Sequence, residues 1–393
     1  MELINKNFVN LYSKNNYIMA KKQKETEGGV GANKFQEALD RLNKTYGVGS
    51  ILELDSKTND NYDIIKTGSI SFDYITLGVG GFVKGKMYEL RGWEGTGKST
   101  ICGHAVAECQ KQGGKVLYID GEYAVDKKYF QQLGVDTTKM LIAQPSCGEE
   151  GFNIAMEMIN TGEIDLVVID SDSSLIPKKM LDGEVGDSTI GRKALLNSNA
   201  YPKLKGALSK HNVCVIVISQ YREKIGVMFG NPTTTQGGHA LKFYSDCIIE
   251  LTKSGAKDGD VQYGNVTKVK AVKNKMFPPY IKSEFEIVYG VGIDKFKEIM
   301  TLGNQFDILR KYGKTITYND VKYQSDEFEE LLTDNPEFLD SITNDIIAKI
   351  KLMDNSEVVE IEDEEKVLDE PIEVTDFGGL FGVSNPLVND DII

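Results

Sequence analysis

The chain has 393 residues, 40% of them hydrophobic and 26% charged, enough for one large or two to three smaller globular domains. Its longest apolar run, Val213 to Ile218, has strand length, so no membrane span is expected. The formal net charge of −14 argues at first against a polyanionic partner, but eleven acidic residues and one lysine between Asp354 and Asp376 account for ten of those charges.

Residues 1–32 are polar and rich in Lys and Asn, and close on Glu27-Gly28-Gly29-Val30-Gly31. They read as a flexible extension without the apolar region of a secretory signal, and Met19-Ala20-Lys21-Lys22 resembles an ordinary protein start. From Lys34, the spacing of Phe35, Leu39, Leu42 and Tyr46 predicts an amphipathic helix that stops near Gly47 and Gly49. Four short apolar strands come next: Lys86–Arg91, Lys115–Asp120, Asp165–Asp170 and Val213–Ser219. Helix-length sequence separates them, the signature of a buried parallel sheet whose ligands gather at the strands' carboxyl ends. Residues 295–352 lean towards helix, most periodically from Asp326 to Ile350, and the acidic tail beyond reads as solvated and disordered.

The five cysteines (Cys102, Cys109, Cys147, Cys214 and Cys247) are odd in number and show no C-x-x-C, and only three histidines are present. A disulfide scaffold or a zinc site is therefore not expected, and a reducing, cytoplasmic compartment is.

Gly92-Trp93-Glu94-Gly95-Thr96-Gly97-Lys98-Ser99 satisfies G-x-x-x-x-G-K-[ST], with a strand before it and a helix after it. Backbone N–H groups in such a loop wrap a phosphate, the lysine neutralises β- and γ-oxygens, and the serine hydroxyl ligates Mg²⁺. Asp170, at the end of its strand, suits the second magnesium position. Glu122, two residues past Asp120, is a candidate to polarise an attacking water. Gln220 closes the fourth strand, where a neutral amide can bond a γ-phosphate. The long Gly- and Thr-rich segment Tyr221–His239 comes directly after it.

The run Lys224-Ile-Gly-Val-Met-Phe-Gly-Asn-Pro-Thr-Thr-Thr-Gln-Gly-Gly-His-Ala-Leu-Lys-Phe-Tyr244 resembles the second DNA-binding loop of bacterial RecA recombinases. Gly183-Glu-Val-Gly-Asp-Ser188 resembles the first, and Thr67–Asp73 and Val272–Lys275 fit the same family in register from about Asn33 to about Asp294. The resemblance implies an α/β fold: a RecA-like P-loop ATPase core with a mostly parallel central sheet, a small N-terminal helix/strand arm and a small α+β C-terminal domain. It divides the chain into an extension (1–32), an oligomerisation arm (33–58), the ATPase and DNA-binding core (59–294), a C-terminal domain (295–353) and the tail (354–393).

The same resemblance implies site roles. Gly92 to Ser99, with Thr100, would hold ATP; Ser99 and Asp170 would hold Mg²⁺; Asp126 and Tyr129 would read and stack on adenine. Glu122 matches the catalytic glutamate and Gln220 the γ-phosphate sensor. Lys273 and Lys275 match lysines that reach a neighbouring subunit's nucleotide, and Phe243 an aromatic at that interface. Gly183, Gly186, Asp187, Ser188, Ile190, Arg192 and Lys193 would serve the first DNA loop. Arg222, Lys224, Ile225, Met228, Phe229, Gly230, Asn231, Gly237 and Gly238 would serve the second. Trp93 stands where the family has proline, and Leu195 and Pro202 stand where it has arginines; Arg192 and Lys193 are expected to take over that charge. The implied activity is that of an ATP-dependent recombinase. It would form helical filaments on single-stranded DNA, act on double-stranded DNA and have a single-strand-binding protein as a candidate partner. A ring-forming helicase or clock-type ATPase, and a non-hydrolysing ATP-gated scaffold, are the rival readings.

Overall fold

The computed structural model describes residues 30–46, 51, 62–184, 191–223, 233–235 and 237–352. The chain forms two compact units that part between Ile64 and Ile65. The described helix of the first is α1 (Val30–Tyr46), four residues longer at its start than the apolar spacing predicts. On it Phe35, Leu39, Leu42 and Tyr46 recur at helical spacing along one face.

The second unit is built on a ten-stranded sheet. In chain order its elements are β1 (Met87–Gly92), α2 (Lys98–Lys111), β2 (Val116–Asp120), α3 (Lys127–Gln132), β3 (Leu141–Ala143), α4 (Gly148–Asn160) and β4 (Leu166–Asp170). Then come α5 (Arg192–His211), β5 (Cys214–Glu223), β6 (Thr233–Thr235), α6 (Ala240–Tyr244), β7 (Cys247–Asp258), β8 (Val261–Asn274), β9 (Lys282–Val288) and β10 (Gly292–Ile293). The sheet order is β10-β9-β8-β7-β1-β5-β4-β2-β3, with β6 paired to the end of β5. The six strands from β7 to β3 run parallel, and β7 to β10 extend them antiparallel. All four strands expected from the sequence are present.

Those strands are apolar throughout because alternate residues feed two cores. Tyr118, Val168, Ile216 and Ile218 pack against Ile101, Cys102 and Ala105 of α2. Leu117, Ile119, Val167 and Val215 pack against Phe152 of α4 and Tyr201, Leu204 and Leu208 of α5. The five cysteines form no disulfide, and four of them are buried.

The C-terminal part carries a third core. Helix α7 (Lys295–Gln305) leads into a three-stranded antiparallel sheet of β11 (Leu309–Tyr312), β12 (Thr315–Tyr318) and β13 (Val321–Gln324), which the residue pattern did not predict. Helices α8 (Ser325–Asp334) and α9 (Pro336–Leu352) come last, divided by extended Asn335 ahead of a proline that opens the second helix. The motif Thr67–Asp73 is a structural joint. The Asp73 carboxyl accepts from Thr67 N at 2.9 Å, Thr67 Oγ1 at 2.9 Å and Gly68 N at 3.1 Å. Glu298 of α7 caps the helical turn Ser71–Thr76 by accepting from Ser69 Oγ at 2.7 Å and Ser71 N at 2.8 Å. Burial pushes the Asp73 pKa up to about 8 and raises that of Glu298.

Candidate functional site

β1 ends at Gly92, and the loop after it reverses into the N-terminus of α2 through Gly95 (φ 69°) and Gly97 (φ 92°). Both dihedrals lie in the left-handed region, and a Cβ on Gly97 would sit 2.3 Å from Ile287 Cδ1. Asn265 and Thr267 of β8 donate to the carbonyls of Gly95 and Thr96, each at 3.3 Å, and Thr96 Oγ1 donates to Trp93 O at 2.9 Å. These bonds hold the loop curled, with unpaired helix N–H groups at its centre. Lys98 is buried, its Nζ donating to Gly92 O at 3.0 Å and Trp93 O at 2.8 Å. Burial lowers its pKa, while Asp170, Glu122 and Glu94 pull it back up. A methyl on Gly95 would lie 2.5 Å from Lys253 Nζ, so a second ammonium overhangs the loop. No motif points to Lys253; its place comes from the β1–β7 register, Gly92 opposite Leu251.

Ser99 Oγ donates to Asp170 Oδ2 at 2.8 Å, and Tyr118 OH donates to the same oxygen at 2.7 Å. Burial raises the Asp170 pKa against those two bonds. A hydroxyl and a half-buried carboxylate at one point form a hard-oxygen donor set that suits Mg²⁺, with phosphate oxygens to complete it. No group of three or more His, Cys, Asp or Glu ligands occurs among the described residues.

Glu122 rides on a loop that buried Asp120 fixes by accepting from Ala124 N at 3.1 Å, Val125 N at 3.3 Å and Gln144 Nε2 at 3.0 Å. Glu122 Oε1 accepts from Gln220 Nε2 at 2.7 Å and from Ser171 Oγ at 2.6 Å. The expected catalytic carboxylate and phosphate sensor are therefore in direct contact. Ser171, not singled out from the sequence, joins them. Tyr129 OH meets Thr100 Oγ1 at 2.8 Å, which brings it to the first turn of α2. Asp126 caps α3 by accepting from Lys128 N at 2.8 Å and Tyr129 N at 3.3 Å.

β5 continues to Glu223, four residues beyond the expected end, and pairs antiparallel with β6, Arg222 opposite Thr234. The second loop thus springs from a ribbon. Tyr221 ties the ribbon to the phosphate loop: its ring meets Trp93 at 6.0 Å, and its OH donates to Glu250 Oε1, which also pairs with Arg91 at 2.7 Å. Gly186, Asp187, Ser188, Ile190, Lys224, Ile225, Met228, Phe229, Gly230 and Asn231 lie outside the described residues, as does the acidic tail. Gly183 is half-buried after the short helix Lys178–Leu181, and Arg192 donates from Nη1 to Lys179 O at 2.7 Å. Lys193 departs from its expected place at DNA. It points inward, donating to Leu175 O at 2.6 Å and pairing with buried Asp172 at 3.5 Å.

Lys273 and Lys275 lie at the opposite edge of the sheet from the phosphate loop. Asn274 is opposite Cys247, which is opposite Tyr88, four residues before Gly92. That is about 13 Å of strand. Lys273 Nζ donates to Lys242 O at 2.8 Å and Phe243 O at 3.2 Å, and Lys275 pairs with Asp246 at 3.3 Å. Phe243 is 70% exposed beside them. No helix among the described residues is long and apolar enough to cross a membrane.

Residues 33–294 match the sequence model of the RecA N-terminal domain. Protein RecA of Cytophaga hutchinsonii is 45% identical over 338 residues, covering 84% of this chain and 95% of that protein. Protein RecA of Porphyromonas gingivalis is 43% identical over 317 residues, covering 80% and 93%, and that of Streptococcus pneumoniae 39% identical over 366 residues, covering 90% and 94%.

Proposed function

The chain belongs to the RecA family, and from that premise we propose how its residues divide the work of an ATP-dependent DNA recombinase and DNA-dependent ATPase. ATP is held by the loop Gly92–Ser99 and Thr100, with Tyr129 against the base. Ser99 and Asp170 hold Mg²⁺, which supplies charge neutralisation at the β- and γ-phosphates. Glu122 polarises the attacking water. Gln220, bonded to Glu122 in this structure, exchanges that bond for one to a γ-phosphate and so reports its presence to the ribbon Tyr221–Glu223 behind it.

The observation that carries the reading is the placement of Lys273 and Lys275. Two strand-end lysines beside an exposed phenylalanine, about 13 Å of strand from their own phosphate loop, cannot serve the nucleotide of their own chain. They suit the nucleotide of a second copy, and a head-to-tail contact of that kind builds a helix when its rotation does not close. Residues 33–58, including α1, act as the arm that docks on the next copy. Single-stranded DNA lies along the two loops, held by phosphate contacts, with Arg192 and Arg222 as described cations at their roots. Lys193 is left out of that set because its ammonium faces Asp172. Double-stranded DNA is the second substrate, a single-strand-binding protein a candidate partner and the cytoplasm the compartment.

Imaging the full chain with single-stranded DNA and a non-hydrolysable ATP analogue tests this. Helical filaments that need both components are expected. Closed rings, or assembly indifferent to nucleotide and DNA, would overturn the filament reading.

A further inference from the structure

Ser171 and Asp172 are successive residues just past the end of β4, and they serve different halves of the molecule. Ser171 Oγ donates to Glu122 Oε1 at 2.6 Å, on the oxygen that Gln220 also reaches. Asp172 turns into a closed polar knot, its side chain 2% exposed. It accepts from Asn197 Nδ2 at 3.1 Å on both oxygens and from Tyr201 OH at 2.5 Å, and it pairs with Lys193 at 3.5 Å. Lys193 and Asn197 stand in the first two turns of α5, immediately after the first loop. Asn197 Nδ2 also donates to Gly237 O at 3.2 Å, where the second loop returns.

The return leans on this knot. Gly237 (φ 95°) could not carry a side chain, because a Cβ would lie 2.2 Å from Asn197 Nδ2 and 2.9 Å from Asp172 Oδ2. Gly238 beside it would bring a Cβ to 3.0 Å from Ala194 Cβ. One buried carboxylate therefore holds the helix that leaves the first loop directly and, through Asn197, the bend that closes the second, one residue from the hydroxyl on Glu122.

Stability alone is a poor reason for such a pair. A buried ion pair rarely outperforms well-packed apolar residues of the same volume, whereas breaking one by removing a single partner is costly. Resting on the reading of the chain as an ATP-gated DNA binder, we propose that Asp172 is a positioning residue. With Lys193 and Asn197 it sets the roots of both DNA loops against the strand end carrying Ser171, so that nucleotide state and DNA grip are coupled through it.

The test compares single-stranded DNA affinity with a non-hydrolysable ATP analogue and with ADP, in the full chain. The double variant Asp172→Asn/Lys193→Met removes both charges together and avoids a lone buried ion. Its ratio of affinities between the two nucleotides should fall about tenfold, while nucleotide binding and DNA-free hydrolysis stay within about twofold of wild type. A merely structural role would weaken both DNA affinities together and leave their ratio intact. Tyr201→Phe removes one donor from the same carboxylate and keeps its ring against Phe152, 5.2 Å away. It should lower the ratio about threefold, and it decides the matter alone if the double variant does not fold. A wild-type ratio in the folded variants would overturn the coupling role and leave the recombinase reading standing. A wild-type protein whose DNA affinity ignores nucleotide would overturn both.

Discussion

The two edges of the central sheet are built to opposite rules. At the carboxyl edge the ionic groups find partners within the chain: Lys98 on loop carbonyls, Asp170 on Ser99 and Tyr118, Glu122 on Gln220 and Ser171. At the amino edge Lys275 keeps more than half its side chain exposed, and Phe243 is 70% exposed. The first edge is a preorganised site whose internal bonds can be traded for bonds to a nucleotide. The second also holds its cations, Lys273 on the carbonyls of Lys242 and Phe243 and Lys275 on Asp246, but it presents a largely exposed aromatic ring beside them, which suits the contact proposed with another copy. An apolar anchor with cations around it is how interface energy is usually concentrated.

The sharpest way to break the comparison is at the closed edge. Lys98→Ala removes the buried ammonium under the loop but leaves the loop's glycines and its bonds to Asn265 and Thr267 in place. Nucleotide affinity should fall by about a hundredfold or more, because charge-assisted bonds to phosphate in a partly desolvated site are the strong ones. A fluorescent ATP analogue titrated against folded variant measures this, and binding within twofold of wild type would remove Lys98 from the phosphate site.

The open edge should respond differently. Lys275→Ala should leave nucleotide binding by the isolated chain unchanged and reduce DNA-stimulated hydrolysis by about tenfold, since its proposed target is the nucleotide of the next copy. Mixing this variant with Lys98→Ala sharpens the contrast. Some junctions in a mixed filament would pair an intact phosphate loop with an intact Lys275, so hydrolysis by the mixture should rise above the residual level of Lys275→Ala alone. Mixed filaments that form and stay inactive would show that the two edges do not complete each other.

Much of this architecture is legible in the residues. The parallel strands are continuous apolar runs because both faces are covered, and the phosphate loop is a local motif whose strand and helix adjoin it in sequence. The parts that were not legible depend on approach in space or on weak local signals. Lys193 begins a helix after a loop, where a lysine ordinarily faces solvent; only the packing of α5 on β4 brings it to Asp172. Lys253 reaches the phosphate loop through strand register alone. The small sheet β11–β13 has strands of four residues, too short for alternation to stand out. Its turns did carry a signal: Gly313 (φ 60°) and the pair Asn319 (φ 47°) and Asp320 (φ 62°), residue types suited to tight hairpins.

The smallest effect separates the edges by pH. His104 lies six residues along α2 from Lys98, about 9 Å down the same helix, and its Nε2 accepts from Ile293 N at 3.0 Å. Burial, reinforced by Lys295 and Lys111 and opposed by Glu108, brings its pKa down to about 4 from 6.5. The folded chain therefore refuses a proton that the unfolded chain accepts between those values, so this contribution is whole above about pH 6.5 and is lost as pH falls towards 4. Acid in that window therefore acts through His104 on the frame behind the phosphate loop. His104→Gln keeps an acceptor for Ile293 N–H without the titration. At pH 7.5 it should be roughly 1 kcal/mol less stable than wild type, and near pH 4.5 the difference should have moved by about 2 kcal/mol the other way, leaving the variant the more stable of the two. Denaturant unfolding of both proteins across this range measures the gap, and a gap that is constant with pH would mean that His104 is not the group whose protonation loosens α2.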